Sequence, residues 1–444
     1  MNIFKQLYHK SQNTIISLQF LQLLRFTTLF LISIAFAKSK YSLNEIGIYE
    51  KIIYFAGALS FFWTNGLIQS FLTLYNKYNS AKEKNIFIFN SVVISFLFSL
   101  LIIFLLILFE QPLSIFFINT QTIPYKLLFI LYLIFSPVSY FVEYIYLLKY
   151  ETKKIYLYGI ITNLFLFVLV ILPAFTILSF EYSIVGLVTA TFLRFLWLIV
   201  LLIKNKTFIF SLEKQILLLK NSLPLILSSF IAGSIPYIDG IIVSNYYDNN
   251  TFAIFRYGSR ELPISVLLAN TFSNAMLPII SKSPETLIVL KDLKNKSLQL
   301  IHILFPISIV LIVVSKYLFE FMFNPMFVQS SSIFNVMLLL VIPRLVFPQA
   351  ILIAKKYQKY TLLASIIEWM SKLILSFILM KIFNIFGIAL ATFFAFTIEK
   401  VVLAFFVFIK LKIKPNIYIP IKWLTFYSAL IIITFMFVEY PNLF

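Results

Sequence analysis

Five arginines occur in the chain, Arg25, Arg194, Arg256, Arg260 and Arg344, and each sits inside an apolar segment. Apart from lysines near the span ends, only Lys51, Lys372 and Lys400 do the same. A guanidinium is a planar fork of donors that matches phosphate and carboxylate. Placing such a charge in a membrane interior costs about 2.5–3.5 kcal/mol even on the mildest insertion scale. Residues kept there at that cost must face protein or water, and the chemistry they offer is anion binding.

Apart from Glu320 at a span end, six acids share these segments: Glu50, Glu143, Asp239, Glu261, Glu368 and Glu399. A second reading of the arginines is therefore internal ion pairing, which leaves an excess of only about two positive charges. Glu368 and Lys372 are one helical turn apart and should neutralise each other. Glu399 and Lys400 are neighbours in sequence and should not face each other. Arg256 and Arg260, again one turn apart, make a like-charged helix face that calls for an anion or for acids opposite. Arg25 has no acid within a turn and is the leading anion candidate, whereas Arg194 and Arg344 serve either as anion ligands or as helix clamps. Asp239, Glu50 and Glu143 are candidates for ion coupling, to H+ or Na+, or for salt bridges, Asp239 with Arg256 or Arg260. There is no cysteine, and the two histidines, His9 and His302, are far apart. Disulfides, thiolate chemistry and a histidine metal motif are excluded, so no catalytic residue, metal or cofactor is expected.

The segments that must position these charges read as membrane helices. The chain is 61% hydrophobic and 12% charged, with mean hydropathy +0.97. A soluble domain carries about 25% charged residues. Spans of the roughly 20 apolar residues that cross a bilayer fall at 15–37, 46–75, 86–109, 125–148, 155–178, 183–203, 222–245, 252–280, 298–321, 332–354, 361–381, 387–409 and 422–438. That gives twelve good helices and a short thirteenth. Ala35-Phe36-Ala37 resembles a signal-peptidase site, but the apolar stretch before it exceeds the roughly 7–15 residues of a signal peptide, and it reads as a retained helix.

The net charge of +19 does not mean nucleic acid. Roughly 23 lysines, Lys84, Lys153, Lys206 and Lys355 among them, cluster in loops on one side. Roughly five, Lys38, Lys40, Lys126, Lys316 and Lys381, lie on the other. The basic side is cytoplasmic, the N-terminus with it, and a real thirteenth span puts the C-terminus outside. No loop is long enough to form an extramembrane catalytic domain, so the chain does not read as an enzyme.

The two halves repeat. At a shift of 206 residues Tyr41 meets Tyr247, Asn44 meets Asn250, Pro137 meets Pro343, Lys149 meets Lys355 and Lys153 meets Lys359. At a shift of 201, Gly186-to-Phe195 aligns with Gly387-to-Phe396. Six helices per repeat is an even number, so both copies face the same way. The expectation is an all-α integral membrane fold of 12–13 transmembrane helices in two parallel six-helix lobes around a central cleft. Residues 1–210 form the N-lobe, 211–415 the C-lobe and 416–444 an extra helix.

Gly47-Ile48-Tyr49 resembles the entry to helix two of polysaccharide flippases, and Asn65-Gly66-Leu67 their glycine-leucine element. Asp239 with the run to Phe255, then Leu277-Pro278, is similar to their helix seven–eight hairpin. Gly186 and Gly387, each with Ala-Thr four residues on, resemble their helix six and twelve starts. Over residues 1–415 the chain resembles the Wzx-type O-antigen and polysaccharide flippases of the MOP exporter superfamily. The resemblance implies that an undecaprenyl-diphosphate-linked oligosaccharide, the repeat unit of an O-antigen, capsule or exopolysaccharide, crosses the bacterial cytoplasmic (inner) membrane by alternating access. It implies cationic residues in a central cavity; Arg25, Arg256 and Arg260 lie on the corresponding helices. Lipid-linked oligosaccharide and membrane lipid are the implied partners, with a polysaccharide polymerase and chain-length machinery as candidates and no nucleic acid. The alternatives are a cation-coupled multidrug exporter of the same superfamily and a membrane polysaccharide polymerase.

Overall fold

Helix accounts for every apolar segment, and no strand occurs among the described residues of the computed structural model, which are 2–204, 208–282 and 286–443. Lys206 lies outside them, as does the side chain of Pro278. In chain order the helices begin with α1 (Asn2–Ala37), α2 (Leu43–Tyr75), α3 (Ala81–Leu108), the short α4 (Glu110–Ile118), α5 (Lys126–Ser139), α6 (Phe141–Leu148), α7 (Thr152–Ile171) and α8 (Glu181–Lys204). There follow α9 (Leu212–Gly233), α10 (Ile235–Tyr246), α11 (Asn249–Gly258), α12 (Pro263–Lys282) and α13 (Thr286–Met322). The last are α14 (Val328–Leu339), α15 (Val341–Arg344), α16 (Pro348–Ala354), α17 (Gln358–Leu411), α18 (Pro415–Tyr418) and α19 (Ile421–Leu443).

Among the described residues eleven helical segments are long and apolar enough to cross a membrane, and α9 with α10 make one more across a bend of 52°. Helix α17 has 54 residues, about 80 Å at the rise of an α-helix, far more than the ~30 Å of one crossing. Its backbone leaves the helical region at Asn384 (φ 52°, ψ −137°), and the two parts are the expected eleventh and twelfth spans. The short thirteenth segment is the helix α19.

The breaks follow from sequence chemistry. Pro137 removes a backbone donor from the last turn of α5, and the chain restarts as α6 at Phe141. Pro236 sits in the first turn of α10, where its missing donor costs nothing, just after the break at Ser234. The segment expected to run unbroken over 252–280 is divided: α11 ends at Gly258 and α12 starts at Pro263. Proline disfavours the helical region for the residue before it. A Cβ on Gly258 would stand 2.4 Å from the Ser330 carbonyl oxygen, so α11 packs backbone-close on α14.

The repeat read from sequence recurs in the backbone. Ser42 caps α2 by accepting from the Glu45 amide, and 206 residues on Asp248 accepts from the Thr251 amide at 2.9 Å at the start of α11. After α6 the amides of Lys149, Glu151 and Tyr150 bond to Ile145, Tyr146 and Leu147. After α16 those of Lys355, Tyr357 and Lys356 bond to Ile351, Leu352 and Ile353, the same register again. Tyr150 (φ 56°) and Lys356 (φ 64°) both occupy the left-handed region. A Cβ on Gly186 would be 2.1 Å from the Leu169 carbonyl oxygen, and one on Gly387 2.1 Å from that of Leu379. In each copy a glycine lets a helix touch the backbone of the helix before it.

The chain divides into two compact units, Met1–Ala253 and Ile254–Phe444. In the first, α9 runs along α2, and Gly66 leaves room for the Ile226 backbone. A core of Trp63, Phe71, Phe87, Phe141 and Tyr158 joins α2, α3, α6 and α7. In the second, α13 carries α14 and α19. Helix α19 is tied at one end by Tyr427 to His302 at 3.1 Å and at the other by Asn335 donating to Glu439 at 2.6 Å.

Candidate functional site

Arg25, one of the charges that the sequence left without a local partner, lies on α1 against α6 and α7. Its Nη2 donates to the Glu143 carboxylate. Its guanidinium lies over the Tyr140 ring, 4.8 Å from the centroid. Tyr140 occupies the break that Pro137 helps to make, and Glu143 stands in the first turn beyond it. The kink between α5 and α6 therefore puts both side chains on Arg25. Glu143 is 3% exposed and Arg25 23%. Arg25 Nε is buried and makes no hydrogen bond, so the fork keeps donor capacity beyond its pairing with Glu143.

Arg194, on α8, joins this group. It is buried, and its Nη2 points at the Thr162 carbonyl at 3.5 Å. Tyr158, one turn before Thr162, is within electrostatic reach of Arg25, Glu143 and Arg194, and Tyr132 is within reach of both arginines. Two guanidinium groups and one carboxylate share an aromatic, largely buried setting with a surplus positive charge. Tyr158 packs edge-on against Trp197, whose Nε1 donates to the Tyr146 hydroxyl at 2.9 Å. Sequence reading missed these tyrosines because single aromatics in an apolar helix carry no periodic signal.

A second charge cluster lies in the other unit. Arg344, at the end of α15, donates to Glu261 in the break between α11 and α12. Phe396 supports Arg344 on its ring at 5.3 Å and Lys400 at 4.5 Å. Lys400 pairs with Glu399 at 2.8 Å, although adjacent helical residues point about 100° apart. Both are largely buried and close on each other through their long side chains. Glu368 is within electrostatic reach of Lys372, Lys400, Glu399 and Glu261. Glu261, Glu368 and Glu399 stand among Arg344, Lys372 and Lys400, so acids and bases here offset each other.

Arg256 and Arg260 do not form the expected like-charged helix face. Arg256 lies on α11, but Arg260 lies beyond the end of that helix, with its guanidinium 5.1 Å from the Tyr257 ring centroid. Glu50 on α2 and Asp239 on α10 are buried in the first unit.

This architecture is a known membrane-transport fold. The structure is similar to a lipid II flippase, MurJ, in an inward closed conformation: 21% identity over 97% of this chain and 93% of that one, TM-score 0.68. It is similar to an inward-facing multidrug resistance MATE transporter of the MOP superfamily, with 12% identity over 92% and 96% of the two chains and TM-score 0.62. A MOP superfamily transporter from Pyrococcus furiosus, noted for a binding pocket of reversed polarity, matches with 14% identity over 91% and 96% and TM-score 0.56. At these identities the likeness is one of fold. No curated protein matches the sequence. Residues 10–284 match the model of the polysaccharide biosynthesis protein family, more than half of the chain. The chain belongs to that family and is a multi-pass membrane protein.

Proposed function

We propose that the protein moves an undecaprenyl-diphosphate-linked oligosaccharide from the inner to the outer leaflet of the bacterial cytoplasmic membrane. The lobes 1–210 and 211–415 alternate in access, the diphosphate and sugar occupy a hydrated cleft, and the prenyl chain stays in lipid. Arg25 holds the diphosphate, with Arg194 beside it. Arg256 and Arg260 meet the sugar or the second phosphate, and Arg344 serves as a helix clamp. The carrier performs no covalent chemistry and needs no cofactor. Glu50 and Asp239 are the candidates for coupling to H+ or Na+, and a polymerase with its chain-length machinery takes up the product outside.

One observation carries the reading. In the first unit two guanidinium groups, the buried Arg194 and the half-buried Arg25, stand near one carboxylate, and Arg25 Nε has no hydrogen-bond partner. A diphosphate supplies the acceptors this arrangement lacks, in a medium of low dielectric where such bonds are strong. A drug exporter for cations would need a surplus of acid, yet Glu143, Glu261 and Glu399 each meet a base. Complementation of a flippase-deficient strain tests the reading. Arg25→Ala, present at the wild-type level, should lose polysaccharide export; full export by that variant refutes the role of Arg25.

A further inference from the structure

Helix α4, a nine-residue piece between the third and fourth spans, has its C-terminal carbonyls served by other helices. The last carbonyls of a helix lack internal partners. Here the Phe116 carbonyl accepts from Asn245 Nδ2 on α10 at 2.7 Å, and the Ile118 carbonyl accepts from Lys51 Nζ on α2 at 3.1 Å. A cation and an amide thus meet the negative end of the helix dipole. Asn119, left-handed at φ 52°, returns the bond: its Nδ2 donates to the Asn245 carbonyl at 3.2 Å. Beside this pair Asn249 Nδ2 donates to Asn44 Oδ1 at 2.8 Å, and a Cβ on Gly47 would stand 2.0 Å from the Asn249 carbonyl oxygen.

The other attachments of α4 stay on its own side. Lys126 at the start of α5 pairs with Glu110 at 2.5 Å, and Phe117 stacks on Phe55 of α2 at 5.1 Å. Helix α10, in contrast, stands beyond the break at Ser234, where Pro236 has no amide to donate. A pivot at that break would carry Asn245 away from α4 and leave the links from α4 to α2 and α5 intact. The lysine distribution assigns this end of the helices to the outer face.

We propose that α4 is a latch on the outer mouth, and that the two bonds tying it to α10, from Asn245 to the Phe116 carbonyl and from Asn119 to the Asn245 carbonyl, part whenever the carrier opens outward. Lys51 and the Glu110–Lys126 pair hold the latch in place and remain closed throughout. The proposal rests on the transport reading above for what passes the mouth, but not for the motion itself.

The chain has no cysteine, so paired cysteines can be introduced without background. Asn119→Cys with Asn245→Cys, bridged by a short thiol cross-linker, should cut polysaccharide export at least about tenfold, reversed by reducing agent when the linker is cleavable. Asn44→Cys with Asn249→Cys should do the same, so poor folding of one pair does not decide the matter. The control, Glu110→Cys with Lys126→Cys, should export equally well bridged or free. Spin labels at 119 and 245, in nanodiscs with a short-chain prenyl diphosphate sugar, should give a short and a long distance. Undiminished export by either bridged latch pair, or a single short distance in every condition, overturns the latch. Two distances in a protein that moves no lipid-linked oligosaccharide leave the latch standing and refute the cargo.

Discussion

Arg25 and Glu143 are separated by 118 residues and form a charged pair inside an aromatic shell. Each keeps the other tolerable in a medium that solvates neither. Removing one member of such a buried pair strands the other, a loss of about 3 kcal/mol or more, while removing both is far milder. Glu143→Ala should therefore lower the thermal midpoint of the purified protein more than Glu143→Ala combined with Arg25→Leu. A double variant as unstable as the single one would show that the two charges are not coupled.

Gly186 and Gly387 admit backbone oxygens that a methyl group would strike at 2.1 Å. Carbonyl oxygens cannot rotate away as a side chain can, so the helices must part. Alanine at either position should destabilise by about 1–3 kcal/mol, read as a shift in thermal denaturation followed by size exclusion. The two variants should behave alike, since the repeat gives both glycines the same task.

Tyr150 and Lys356 hold the left-handed conformation without being glycine. That geometry costs a residue with a Cβ about 1 kcal/mol. Tyr150→Gly and Lys356→Gly should each raise stability by up to that amount, less the added freedom of the unfolded chain. A clear loss of stability in both would mean that the side chains matter more than the turn.

The Asp248 carboxylate is held below the usual aspartate range, chiefly by hydrogen bonds from the Thr251 side chain and backbone, with Lys51 adding a little. A depressed pKa stabilises the fold above the unfolded-state value of about 3.9, and the contribution fades as the pH falls through the depressed one. Asp248→Ala should cost about 1 kcal/mol at neutral pH. Below the ordinary aspartate range the difference from wild type should shrink, and a constant gap at every pH would contradict this account.

The lysine asymmetry predicts a cytoplasmic N-terminus and, with α19 crossing, an outer C-terminus. Alkaline phosphatase fused after residue 444 should be active, and fused within 149–154 inactive. Inactivity at the C-terminus would place α19 on the membrane surface.

Much of the fold was legible because a bilayer fixes segment length. Each of the thirteen apolar stretches is built mainly of helix, and the 206-residue shift picked out Lys149 and Lys355, which cap equivalent turns. The break between α11 and α12 in the eighth span was missed although Gly258 and Pro263 mark it, because hydropathy averages across both. With it went the reading of Arg256 and Arg260 as one face. The partners of Arg25 and Arg344 were beyond reach for another reason: Glu143 and Glu261 are 118 and 83 residues away, and no local period reports such a contact. Glu399 and Lys400, both largely buried, close on each other in the folded chain, a tertiary effect that spacing does not encode.

The turn at Asn384 bears on how a duplicated gene diverges. In the first copy the fifth and sixth spans are joined through residues 172–180, where Ile177 projects fully into the surroundings. In the second copy the corresponding join is little more than one residue with an unusual backbone. An epitope tag inserted at 177 should be accepted, whereas one at 384 would have to split a single stiff hairpin. The two copies of the repeat should differ in their tolerance for added length, and insertion mapping should find them unequal.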